Sequence, residues 1–126
     1  MVPQLDISPA IAPDMPRLDT APALANLAGD RELYAQVAEV FFEDMPSQLA
    51  ALEGAMTGRD FPTAQRAAHT IKGMAATIGA ERLRLIAYGL EQACKACDAT
   101  AATASCPLLR DEYAAVAAEL RAFIAV

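Results

Sequence analysis

Apolar residues recur along most of the chain at the three- and four-residue intervals of amphipathic helices. The clearest run is Phe61, Ala64, Ala68, Ile71, Ala75 and Ile78, and it predicts a helix with one face in a core. Asp60 stands before this run as a cap, Pro62 lies just inside it, and Gly79 is placed to end it in the left-handed conformation. A longer helix is predicted from Arg31 to about Thr57, capped by Asp30. Leu33, Val37, Val40 and Phe41 open its core stripe, and Leu49, Leu52 and Met56 continue it. Pro46 removes a backbone donor between the two sets, so a kink or a restart is expected there. Leu83, Ile86, Leu90, Cys94 and Cys97 mark a helix from Ala80 to about Asp98. The small residues Thr100 to Ala104 read as a loop. Ser105 is placed to cap a last helix whose stripe is Leu109, Tyr113, Val116, Leu120 and Phe123. Leu18 to Ala28 reads as a short first helix, with Asp19 or Thr20 as its cap and Gly29 at its end.

Four amphipathic helices with short connections predict an all-α fold, an antiparallel up-down four-helix bundle. The additional short N-terminal helix is expected to pack across one end. Residues 1–17 carry Pro3, Pro9, Pro13 and Pro16 and read as a flexible Pro-rich tail or linker, leaving residues 18–126 as one domain. A composition rich in alanine and poor in aromatics agrees with closely packed helices.

Charge narrows the function classes. The formal net charge is −6 and there is no basic stripe, which argues against nucleic acid as a partner. No apolar run reaches the ~20 residues of a membrane span, so no membrane insertion is expected. The N-terminus lacks a basic region followed by an apolar core, and a cytoplasmic location follows. Cys94 and Cys97 have the spacing of a redox or metal pair, but they fall on the helical stripe, so they read as buried thiols and no metal site is expected.

The distinctive chemistry lies between Gln65 and Ala80. His69 is the single histidine of the chain. At about 100° per residue it falls roughly 135° from the centre of the apolar stripe, so it should face solvent. Arg66, Lys72, Gly73 and Ala76 lie on the same side. A neutral imidazole is a good nitrogen nucleophile near pH 7, since its unperturbed pKa is about 6.5. If it accepts a phosphoryl group, Lys72 and Arg66 can offset the added negative charge. Gly73 costs the helix roughly 1 kcal/mol relative to alanine, which makes sense if a phosphate or a partner surface approaches the ring.

The run Ala68-His69-Thr70-Ile71-Lys72-Gly73, continued by Ala75 and by Ile78-Gly79-Ala80, resembles the signature of the histidine phosphotransfer (HPt) domains of two-component phosphorelays. The likeness extends to Leu33–Asp60 and Glu81–Leu90. Met74 stands where a small residue is commoner, and Thr77 where asparagine is. The resemblance implies a phosphocarrier that receives a phosphoryl group on His69 from the aspartyl phosphate of a response-regulator receiver domain and passes it to another receiver. It implies no cofactor in this chain, the Mg being supplied by the partner receiver, and a hybrid sensor histidine kinase as a further possible partner. Lys72 and Arg66 would support the phosphoryl group and Gly73 would give steric access. Gln65, Thr70, Met74, Ala76, Phe42 and Met45 are the candidates for a receiver-docking surface. Glu91 reads as a surface residue. Nothing indicates a dimer, so a monomer is expected.

No Gly-rich phosphate cradle is present, so the chain has no ATP-binding motif of its own. Two alternatives remain open at the level of sequence. One is the phosphoacceptor domain of a chemotaxis-type histidine kinase; the other is a helical adaptor without phosphoryl chemistry. The identity of the phosphodonor separates them.

Overall fold

The structure is a computed structural model and describes residues 15–125. These residues form five α-helices: α1 (Thr20–Asn26), α2 (Arg31–Thr57), α3 (Phe61–Ile78), α4 (Glu81–Lys95) and α5 (Ala99–Ile124). Three of them start on an aspartate whose side chain accepts a hydrogen bond from a backbone N–H one turn on. Asp30 accepts from Leu33 (3.0 Å), Asp60 from Thr63 (3.2 Å) and Asp98 from Ala101 (3.1 Å). Two or three residues separate α2 from α3, α3 from α4 and α4 from α5, and each helix packs on its successor, with α2 also touching α5. α1 rests on α3 and α2.

The core holds Tyr34, Phe41, Met45, Leu52, Ile71, Ile78, Leu83, Leu90, Leu109 and Leu120, all essentially without exposure. Fully buried alanines fill between them, among them Ala38, Ala64, Ala68, Ala75, Ala87, Ala93 and Ala102. Small side chains at these contacts let the helix backbones approach closely.

Three expectations change. The first half of α2 buries Tyr34, Ala38, Phe41 and Met45, one residue out of phase with the predicted stripe, while Leu33 and Val40 are 39% and 53% exposed. Tyr34 wins the core position because its hydroxyl donates to the Ile78 carbonyl (2.7 Å), one of the four carbonyls the end of α3 leaves open. α2 also runs through Pro46 without a restart. Second, α5 begins at Ala99 and runs through Pro107, so there is no loop over 100–104 and Ser105 is not a cap. Alanine is the strongest helix former, Asp98 supplies the cap, and the Ser105 hydroxyl bonds back to the Ala101 carbonyl. Third, Cys97 is exposed, in a left-handed conformation (φ 53°) beyond the end of α4, whereas Cys94 is buried and its thiol is pushed up to about 11 by that burial.

Of the predicted tail, residues 1–14 lie outside the described residues. Arg17 Nε donates to Glu112 Oε2 on α5 (3.0 Å), and Arg82 of α4 stands on the other oxygen of that buried carboxylate (3.7 Å). Two residues later the Asp19 N–H donates to the Gly79 carbonyl (2.9 Å), so the chain before α1 is tied to the end of α3. No helix among the described residues is long and apolar enough to cross a membrane.

Candidate functional site

α3 turns Ala64, Ala67, Ala68, Ile71, Ala75 and Ile78 into the core. The same rotation leaves His69 on the outer crest, its side chain 66% exposed. Beside it, α4 contributes a residue that sequence reasoning places on the surface. Glu91 lies four residues after Ala87 and three before Cys94, on the face that α4 buries, and it is only 7% exposed. Its two oxygens are both used. Oε2 lies 2.7 Å from His69 Nδ1, and Lys72 Nζ donates to Oε1 at 2.7 Å. A charged residue inside an otherwise apolar helical stripe was the signal in the sequence that could have found it.

Burial pushes the Glu91 carboxyl up, but the hydrogen bonds from Lys72 and His69 and their charges outweigh it and hold it below the ordinary carboxylate range. Glu91 is therefore ionised near neutral pH, and an ionised carboxylate only accepts hydrogen bonds. The proton of a neutral His69 must then sit on Nδ1, donating to Glu91, which leaves the lone pair on Nε2. The ring is held from below in the tautomer whose free nitrogen faces outward.

His69, Glu91, Gln65, Arg66 and Thr70 line an open depression of about 460 Å³. Arg66 borders it and donates to the Thr63 hydroxyl (3.3 Å). Lys72 is only 24% exposed, held by Glu91 and 5.4 Å from the centre of the Tyr88 ring. The Thr70 hydroxyl donates to the Arg66 carbonyl (3.0 Å). Ala76 is exposed and Met74 half-buried. Phe42 is half-buried under the Arg121 guanidinium of α5 (4.6 Å) and does not line the depression. Met45 cannot belong to a docking surface: it has no exposure, because α2 turns it into the core on the Tyr34–Phe41 face.

Gly73 lies one turn beyond His69 on the crest, and a Cβ added there meets nothing within 4 Å. Nothing among the described residues therefore requires glycine here. Gly73→Ala should stabilise the protein by about 0.5–1 kcal/mol in thermal or urea unfolding. If the glycine instead serves close approach by another protein, the same substitution should slow transfer from that protein severalfold. Unchanged transfer would remove the access role.

A family model described as the Hpt domain matches residues 36–119. Among solved structures, the chain is similar to histidine-containing phosphotransfer protein B from Pseudomonas aeruginosa PAO1, with 24% identity and a TM-score of 0.80. That match covers 88% of this chain and 96% of the other, and at this identity it speaks for the fold. No match was found among curated proteins.

Proposed function

The chain belongs to the Hpt domain family, and within the histidine phosphotransfer that this membership brings we propose that His69 is the phosphoacceptor, held for in-line attack by Glu91. The observation that carries the assignment is the Nδ1–Glu91 contact under a ring that is otherwise open to solvent.

The step follows from that geometry. A receiver domain presents an aspartyl phosphate over the crest of α3. The Nε2 lone pair forms the N–P bond as the P–O bond to aspartate breaks, and that electron pair leaves on the aspartate carboxylate. The ring keeps its Nδ1 proton and gains positive charge. The Glu91 carboxylate sits where that charge develops and stabilises it, as a buried carboxylate does for a histidine acting on a nucleophile. A carboxylate under the ring therefore helps the nucleophile and need not repel the phosphoryl group on the opposite nitrogen. Transfer to a second receiver reverses each bond change. Lys72 supports the phosphoryl group by turning from Glu91 toward it, and Arg66 approaches from the depression that it borders. Gln65, Thr70, Met74 and Ala76 belong to the surface the receiver covers, with Gly73 giving access.

The Mg that polarises the aspartyl phosphate belongs to the receiver, and this chain contributes position, tautomer and charge. Four helices in a closed ring of neighbours, joined by short turns, support an antiparallel up-down bundle with α1 across one end. A monomer in the cytoplasm, with a hybrid sensor histidine kinase upstream, is consistent with that role.

The test is transfer from a phosphorylated receiver domain to the parent chain and to His69→Gln, followed by acid and base treatment. An acid-labile, base-stable label on the parent and none on the variant is expected. Equal labelling of both chains would move the acceptor elsewhere.

A further inference from the structure

Around α2, at about 100° per residue, the side chains fall into separate rows. Tyr34, Ala38, Phe41 and Met45 form the buried row. Leu33, Val37 and Val40 form a second apolar row on the side toward α3, and two of its three members are more than a third exposed. Beyond it, Glu32, Glu39 and Glu43 form an exposed acidic ridge, and Arg31 is the only basic residue in the helix. Val37 is half-buried against the core, and among the described residues nothing covers Leu33 and Val40. The row opens into a groove of about 180 Å³ lined by Val37, Val40, Phe41, Met74, Thr77 and Ile78.

The groove shares helix α3 with the His69 site. Met74 lies five residues beyond His69, about 7.5 Å along the helix axis. Gly73, the crest residue without a side chain, lies between them. A standard protein interface covers about 800 Å² on each partner, a patch of roughly 16 Å radius. Any domain that brings an aspartyl phosphate to Nε2 with a footprint of that size must cover the groove as well. Exposed apolar side chains beside one-signed charge are the features of an interface with a dry centre and a selective rim.

We propose that this groove and its acidic ridge determine which receiver domain docks: one whose contact surface carries an apolar side chain for the Val37–Val40–Met74 groove and basic side chains opposite Glu32, Glu39 and Glu43. The inference rests on the phosphotransfer reading and adds partner selection to it. Opposite charges on the rim raise the association rate, and the effect fades as salt screens them. The apolar groove holds the docked domain and acts on its dissociation.

The probes are phosphoramidate, a small phosphodonor that needs His69 but no docked protein, and a receiver domain phosphorylated with acetyl phosphate, chosen as the fastest donor to the parent. Val40→Asp puts a charge into the groove at an exposed position, and Glu39→Lys/Glu43→Lys reverses the ridge. Val40→Asp is expected to slow transfer from the receiver at least tenfold at limiting concentration, with phosphoramidate labelling retained. The ridge variant is expected to slow it about tenfold in low salt and to lose the salt dependence of the parent. Receiver transfer unchanged in both variants would overturn the proposal. So would a concentration-dependent dimer of the parent that Val40→Asp dissociates, because a second copy would then occupy the groove. If phosphoramidate and receiver both fail to label the parent, the phosphotransfer reading fails, which the two variants alone could not reveal.

Discussion

Gly79→Ala is expected to destabilise the protein by about 3 kcal/mol, a far larger loss than its position in a two-residue turn suggests. Two effects combine. Gly79 has φ 88°, and a side chain in the left-handed region costs about 1–2 kcal/mol. The added Cβ would also lie 2.1 Å from the Asp19 carbonyl oxygen and 3.0 Å from its carbon. Both are backbone atoms, so the chain before α1 would have to move. That displacement would stretch the Asp19–Gly79 hydrogen bond and strain the nearby Arg17–Glu112 pair, adding about 1–2 kcal/mol. Thermal unfolding followed by circular dichroism should show a fall of at least 10 °C, at about 4–8 °C per kcal/mol for a domain near this size. Gly29→Ala is the control. Gly29 also has positive φ (74°), but its added Cβ meets nothing within 4 Å, so only the conformational cost applies. Equal losses at the two glycines would mean that the chain before α1 contributes nothing to stability.

The same comparison explains what could be read from the sequence. Gly79 was legible as a left-handed stop because helix ends leave carbonyls open and glycine reaches the required φ without penalty. Its contact with Asp19 was not, since it joins segments sixty residues apart. Five of the six residues of the predicted α3 stripe are buried, with Phe61 half-buried at its start and Ala67 added beside Ala68, because the polar residues of α3 keep to the other side. α2 carries two apolar rows side by side, and periodicity cannot tell which faces the core. The burial of Tyr34 depends on a carbonyl supplied by α3, and that leaves Leu33 and Val40 outside and Val37 half-buried. Met45 was misplaced for the same reason. The start of α5 was obscured because small residues suggest a loop by composition and a helix by propensity, and Asp98 decides in favour of the helix. At the site, His69, Lys72 and Gly73 follow from spacing within one helix. Glu91 stands on another helix, and a charge there is conspicuous only against the apolar face around it.

Glu91→Gln should separate that carboxylate's chemical role from its structural one. Glutamine keeps the size and one oxygen that can accept from His69 Nδ1, but it has no charge. A hydrogen bond to a charged group contributes about 1.5–3 kcal/mol, against about 1 for a neutral one. Only the part that strengthens as the ring becomes positive lowers the barrier. The expected loss in the rate of phosphoryl acceptance is therefore about tenfold, and Glu91→Ala, which removes the acceptor as well, should approach a hundredfold. Stability should change little in the glutamine variant, because Lys72 is near enough to solvent to find water. A structural role would not move the imidazole tautomer, so nitrogen NMR of His69 is the discriminating readout. The parent should show the proton on Nδ1, glutamine should keep it there, and alanine should release it. The pH dependence has a definite sign. The Glu91 pKa is lowered on folding, so its contribution is present above the ordinary carboxylate value of 4.5 and is lost as pH falls through the lower folded value. Between pH 5 and 8 the carboxylate should stay charged, and the parent-to-variant rate ratio should be flat. A ratio that collapses within that window would show that Glu91 is neutral where the reaction runs, and the charge on the ring would then need another partner.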